Sequence, residues 1–209
     1  HMRRLLLSAA ALAFLATPAL AQDSFKTGWY GTAGGAWVVP RDYEGNGAVE
    51  ELKHDNGYGF YLGAGYSYGN GFRTEVEAAY GQFDHDLVRF RSPAATVQTN
   101  GSVDQYSLTG AVFYDFGSWV GLTPYAGAGA GILYTRDDRR AVTSGGNTIA
   151  AGDDGTDLTL FGEIGVSYRL TQQIDIVPAY RLQWINNGGN GTDDGSQHVA
   201  RIGLRYWFN

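Results

Sequence analysis

From residue 58 the chain alternates. In YGFYLGAGYSYGN one set of positions holds Tyr58, Phe60, Leu62, Ala64, Tyr66 and Tyr68, and the other holds Gly59, Tyr61, Gly63, Gly65 and Ser67. Period two is the spacing of side chains on the two faces of a β-strand, and an amphipathic helix has no place for it. FRTEVEAAY repeats the pattern with Phe72, Val76, Ala78 and Tyr80 opposed to Arg73, Glu75 and Glu77. YSLTGAVFYDF does so with Tyr106, Leu108, Val112, Tyr114 and Phe116 opposed to Ser107, Thr109, Phe113 and Asp115. Segments 158–170, 174–184 and 198–208 obey the same rule, while 28–39 and 122–134 are Gly/Ala-rich and alternate weakly. That makes eight strands. The 31 glycines and 14 tyrosines agree, since glycine disfavours helices and tyrosine suits strands.

The connections alternate in length. GNG at 69–71, GSWVG at 117–121 and TQQ at 171–173 are hairpin-sized, and glycine in the first two supplies positive φ. Polar stretches near 40–57, 84–103, 136–156 and 186–196 are long. An up-and-down barrel places every long connection at one end and every tight turn at the other. Proline at 178 falls inside a strand that a closed barrel leaves without a free edge, so a bulge or local irregularity is expected there.

The charges decide which face looks outward. Strand interiors carry ten: Arg73, Glu75, Glu77, Asp115, Glu163, Arg169, Asp175, Arg181, Arg201 and Arg205. All ten lie opposite the bulky apolar residues, five basic against five acidic. Eight strands enclose just enough room for side chains, so the sparse, glycine-containing, neutral face is the one that fits inside. The bulky face overfills such an interior and must face out, where hydrocarbon requires freedom from charge. Its aromatics gather near strand ends, as in an interfacial girdle: Tyr66, Tyr68, Phe72, Tyr114, Phe116, Tyr168, Tyr206 and Phe208 at the tight-turn end, and Trp184 with Tyr58, Phe60, Tyr80, Tyr106 and Tyr134 at the other.

The N-terminus adds an address. Arg3 and Arg4 precede an apolar run of about eleven residues, too short for the ~20 that cross a bilayer as a helix. Ala19-Leu20-Ala21 then offers a small-x-small cleavage site, so residues 1–21 read as a secretory signal peptide and 22–209 as the barrel. His1 before Met2 reads as an expression remnant. No cysteine is present, so an exported chain of this kind is held by packing and hydrogen bonds alone.

GWYGTAGGAW, FRTEVEAAY, PYAGAGAGILY, GVSYRL and the final RIGLRYWFN together resemble the eight-stranded outer-membrane β-barrel proteins of Gram-negative bacteria, the group of the OmpA transmembrane domain, the opacity proteins and small surface antigens. The resemblance implies an all-β, eight-stranded antiparallel up-and-down transmembrane β-barrel, with the N-terminus and short turns periplasmic and the long loops extracellular. It also implies an assembly signal in the last strand, matched by Arg201, Gly203, Tyr206 and Phe208, although Asn209 follows where an aromatic usually ends the chain. Outer-membrane lipid, lipopolysaccharide and the barrel-assembly machinery are then the expected partners.

Function is less legible. Without the leader the chain has 13 basic and 21 acidic residues, a net charge of −8, which disfavours nucleic acid as a partner. The ten strand charges cancel, as do Asp23 and Lys26, so the loops carry the whole excess and form an acidic crown suited to a host or cell-surface partner. Paired lumen charges are expected to close the barrel, a small channel for ions or solutes being the alternative. The acidic runs 153–157, 193–194 and 84–86 lack the spacing of a calcium loop, so no metal and no cofactor is expected. Lipid A-modifying chemistry would need His54, His85 or His198 with Ser92, Ser102 or Ser196, yet no His-x-Ser pair lies on a strand, and no catalytic residue is assigned.

Overall fold

Each alternating segment becomes a strand because its two faces meet different media, and pairing on both sides is what satisfies the backbone between them. The computed structural model describes residues 25–40, 43–44, 49–54, 56–91, 94–98, 102–137, 142–144, 147–149, 154–186 and 195–208. In chain order its strands are β1 (Thr27–Pro40), β2 (Tyr43–Glu44), β3 (Val49–His54), β4 (Gly57–Tyr68), β5 (Phe72–Arg91), β6 (Ala94–Gln98) and β7 (Ser102–Asp115). There follow β8 (Leu122–Asp137), β9 (Val142–Ser144), β10 (Asn147–Ile149), β11 (Gly155–Arg169), β12 (Ile174–Asn186) and β13 (Gly195–Trp207). Eight of them close on themselves, in the order β1, β4, β5, β7, β8, β11, β12, β13 and back to β1, all antiparallel. This is the expected up-and-down barrel. No helix occurs among the described residues.

The register fixes the shape. Steps between directly paired residues lead from Tyr30 through Gly65, Glu75, Ala111, Gly129, Phe161, Gln183 and Gln197 back to β1 at Pro40, that is, from residue 30 to residue 40. A stagger of ten residues is about 33 Å of strand against about 38 Å of circumference, so the strands tilt about 40° and the interior holds side chains and little else. The seam runs between β1 and β13, with Tyr30 opposite Trp207 and Trp37 opposite Ala200. On that last strand Ile202, Leu204, Tyr206 and Phe208 are exposed on the outer wall, while Arg201, Arg205 and Trp207 are buried inside.

Two features differ from expectation, and a third takes one of its two expected forms. β5 does not end near Tyr80 but continues to Arg91, and its far half pairs with β3 and β6 while β2 pairs with β3. A four-stranded sheet thus rises from one side of the barrel, within stretches read as polar connections. A second small hairpin, β9 with β10, lies within 136–156. Pro178 brings the expected local irregularity and no bulge: it pairs with Ile202 in unbroken register toward β13. Toward β11 the ladder lapses between the Gly165–Ala179 and Tyr168–Ile176 pairs and resumes in the same register, which is how a wall strand accommodates a missing donor.

The tight turns follow their residue types. Gly69, Gly71, Gly117 and Gly121 all take positive φ. At 171–173 the Thr171 hydroxyl instead accepts the backbone N–H groups of Gln173 at 3.2 Å and Ile174 at 3.0 Å. The leader, at residues 1–21, lies outside the described residues.

Candidate functional site

A charged side chain on the inner face has no bulk water to turn to, so it is tolerated only where a partner of opposite sign is within reach. The strand register brings Glu77, Glu163, Arg181 and Arg201 to one height, each from a different strand, and they close into a ring. The Arg181 guanidinium lies 2.8 Å from Glu77 and 2.8 Å from Glu163; Arg201 lies 2.7 Å from Glu163 and also bonds Glu77. All four are buried. Two cations and two anions thus alternate across the lumen, every carboxylate shared between two guanidiniums.

Aromatic rings line this ring from the same face. The Arg181 guanidinium stands 3.7 Å from the centre of the Phe161 ring, and Arg201 stands 3.7 Å from that of Tyr61. Tyr125 donates its hydroxyl to Glu163 at 3.0 Å. Glycine makes room for the rings: a Cβ on Gly203 would lie 2.1 Å from the Tyr61 hydroxyl, and one on Gly165 would lie 2.6 Å from that of Tyr125.

A second layer lies toward the tight turns. Arg73, 1% exposed, bonds Asp115 at 3.2 Å, lies 3.5 Å from Glu75, and stacks 4.1 Å above Phe113 and 4.6 Å above Tyr125. Asp175 accepts from Lys26 at 3.2 Å and from the Trp207 indole at 2.7 Å. Burial holds Lys26 below the usual lysine range, with Asp175 pulling in the opposite direction. Arg205 departs from simple pairing: its guanidinium bonds the Ser167 hydroxyl at 2.9 Å and sits among the rings of Tyr30, Tyr125 and Trp207. Arg169, half-buried, lines the same small cavity as Arg205.

Above the ring, Gln197 donates to Gln183 at 3.2 Å and Gln183 to Thr159 at 2.8 Å. Two small cavities lie among the described residues, one on either side of the ring. One of about 30 Å³ is bounded by Lys26, Asp115, Arg169, Asp175 and Arg205; the other, about 50 Å³, is bounded by Tyr61, Glu77, Arg181, Gln183 and Arg201. They share no lining residue.

Outside, the wall carries two aromatic belts about 20 Å apart along the axis, given the ten-residue stagger and 40° tilt, close to the ~25 Å apolar band of a bilayer-spanning barrel. Trp29 with Tyr66, Phe72 with Tyr114, Tyr114 with Phe116, and Tyr206 with Phe208 stack edge to face at 4.9–5.4 Å in the lower belt. Tyr80, Tyr106 and Tyr134 follow one another around the upper one. Ile164, Ile202 and Val76 between the belts are exposed, and no charged residue shares their face there. A family model described as the outer membrane protein beta-barrel domain matches residues 7–208.

The chain belongs to the outer-membrane protein β-barrel family.

Within that family it is 27% identical to an outer membrane protein of Gluconacetobacter diazotrophicus, an alignment that takes in 93% of this chain and 61% of the relative, so the chain spans about three-fifths of that protein's length. Among solved barrels it resembles Neisserial surface protein A, with a TM-score of 0.59 at 22% identity over 86% of this chain and 97% of the other. OprG of Pseudomonas aeruginosa matches with a TM-score of 0.59 at 17% identity, covering 90% and 100%. Ail, the attachment invasion locus protein of Yersinia pestis, gives 0.51 at 18%, covering 88% and 100%. These likenesses are of fold.

In this outer-membrane barrel, nine of the ten strand charges are buried in the lumen and Arg169 is partly exposed. Tyr68, Phe72, Tyr114, Phe116, Tyr168, Trp184, Tyr206 and Phe208 are exposed on the wall, and Tyr66 is half-buried between Trp29 and Tyr68. Sequence reasoning put Tyr61 and Phe113 on the inner face without giving them a role, and it missed Lys26, Tyr30, Tyr125 and Phe161 as lumen groups; for the aromatics, sharing a strand phase with charges and glycines was the available signal. It also missed Trp29 and Trp37 on the outer wall, hidden in a Gly/Ala-rich strand. His54 and His85 are backbone partners across β3 and β5. His198 bonds the Tyr180 hydroxyl and Ser102 lies at the start of β7, half-buried. Asp154 accepts from Tyr134 at 2.8 Å. The side chains of the 84–86 run, Ser92, Asp153 and Asp193-Asp194 lie outside the described residues. Among the described residues no group of three His, Cys, Asp or Glu stands where it could hold a metal.

Proposed function

We propose that this barrel serves as a structural surface protein or adhesin-like antigen, acting through its acidic extracellular loops while its lumen stays closed. The observation that carries the reading is the four-membered ring of Glu77, Arg181, Glu163 and Arg201: each acceptor is engaged twice, so passage of an ion would have to break a buried network. Support also comes from the disjoint cavities on either side. In the proposed orientation the N-terminus and tight turns are periplasmic, residues 1–21 are removed on export, and Arg201, Gly203, Tyr206 and Phe208 present the last strand to the assembly machinery. The crown, with its excess of carboxylates, then faces lipopolysaccharide, its bridging cations, and any host or neighbouring surface protein. A catalytic role is not part of this reading; His198, the best-placed histidine, is engaged with Tyr180 on the lipid-facing side.

The test pairs two measurements on refolded protein. Planar bilayers should show no step conductance, and shortening the loops at 40–57 or 84–103 should abolish binding to whole cells or envelope fractions. Steady conductance steps that disappear on charge reversal at Arg181 or Glu163 would establish the channel instead. Unchanged lipid A mass spectra from expressing cells, with and without His198→Ala, check the exclusion of catalysis.

A further inference from the structure

The three tight turns are not alike. Asn70 tips the first and Gln172 and Gln173 the third, all polar, whereas the 117–121 hairpin presents Trp119 and Val120, 75% and 83% exposed. Trp119 and Leu122 exchange backbone hydrogen bonds at 2.7 and 2.9 Å, making Val120 and Gly121 the two central residues of the turn, with φ of 51° and 80°. Positive φ at both central positions is the pattern of a type I′ turn, where Asn-Gly or Asp-Gly is the norm. A β-branched residue there is a steric outlier. The chain therefore holds an apolar side chain at a tip where asparagine would fit without strain.

The surroundings say what that side chain meets. Phe116 and Leu122 flank the hairpin on the outer wall, Leu122 pairs with Tyr168, and Leu170 continues beyond it, all exposed. The tip is thus an unbroken extension of the lipid-facing band, on one side of the barrel only, and it reaches past the lower aromatic belt. Tryptophan is the residue most suited to that depth, with a ring that favours the boundary between headgroups and acyl chains.

We propose that the 117–121 hairpin is a membrane anchor that seats Trp119 and Val120 among the headgroups and uppermost acyl carbons of the adjoining phospholipid leaflet. That leaflet is the periplasmic one if the orientation proposed above holds. The anchor extends the lower aromatic belt toward the headgroups on the side of β7 and β8.

The experiment uses the full chain refolded into phosphatidylcholine vesicles carrying bromine on both leaflets, either near the headgroup or near the chain ends, so the outcome does not depend on which way the barrel inserts. The emission lost on Trp119→Phe is the Trp119 component. It should be quenched more by shallow than by deep bromine and shielded from aqueous acrylamide. Val120→Asn suits the turn and should fold as completely on a heat-modifiability gel, yet cut shallow-bromine quenching of Trp119 about twofold. A Trp119 component untouched by either lipid and open to acrylamide would overturn the anchor and mark the tip as a water-exposed contact for a periplasmic protein. Quenching unchanged by Val120→Asn would overturn the part assigned to Val120. Loop-deletion and conductance results are independent of both.

Discussion

A buried guanidinium stripped of one carboxylate cannot recover by hydration, and this governs the ring residues. Arg181→Met leaves Glu77 and Glu163 sharing Arg201 alone and should cost about 3–5 kcal/mol in urea unfolding from micelles, whereas Glu77→Leu with Arg181→Met, which removes a neutral pair, should recover most of that loss. Gly203 offers a second test. Its motif implies recognition during assembly, while the structure places the Tyr61 hydroxyl and the Ala33 carbonyl where a Cβ would stand, at 2.1 and 2.7 Å. Gly203→Ala should therefore lower stability by about 1–3 kcal/mol, and Tyr61→Leu should relieve only part of it because the carbonyl remains. A change in assembly rate with stability intact would assign Gly203 to recognition alone. Phase made the charged positions legible in the sequence: every charge stood opposite a bulky apolar run. The same phase placed Tyr61 and Phe113 inside, but their stacking on Arg201 and Arg73 was not legible, because it depends on which strands the register brings together.

Strands were legible over the length where one face meets hydrocarbon. Segment 198–208 shows Ile202, Leu204, Tyr206 and Phe208 without a charge among them; β13 carries the first three on its outer wall, and Phe208, just past its end, is exposed as well. Ile202 lies about midway between the aromatic belts, so Ile202→Arg should cost about 2–4 kcal/mol when folding is measured in vesicles, and Phe208→Arg, at the interface, about 0–1. Beyond the membrane that signal vanishes. Past Phe83, β5 reads Asp84, His85, Asp86, Leu87, Val88, Arg89, Phe90, with charges in both phases, so the two-faced pattern that marks a strand is lost from the sequence. At Pro178 the expected irregularity takes the form of two unpaired positions on the β11 side, without any shift of register.

At the scale of the molecule, closure joins both levels, since the same stagger that tilts the wall sets four charges from four strands at one height. Removing one cation and one anion together should open that level while keeping it neutral. Glu163→Ala with Arg181→Ala is expected to convert a silent barrel into one with measurable step conductance in planar bilayers; continued silence would mean that the Gln183–Gln197 rung and the Arg73 layer close the lumen unaided.

The 20-residue β5 has a mechanical consequence. It runs without interruption from a tight turn through the bilayer and into the sheet above, and it is paired along the way with β4, β7, β3 and β6. A pull applied to its far end is directed along the strand, so its flanking ladders are loaded in shear, many bonds at once, instead of being peeled open one rung at a time. A cell tethered through this side of the barrel would hold by the wall itself.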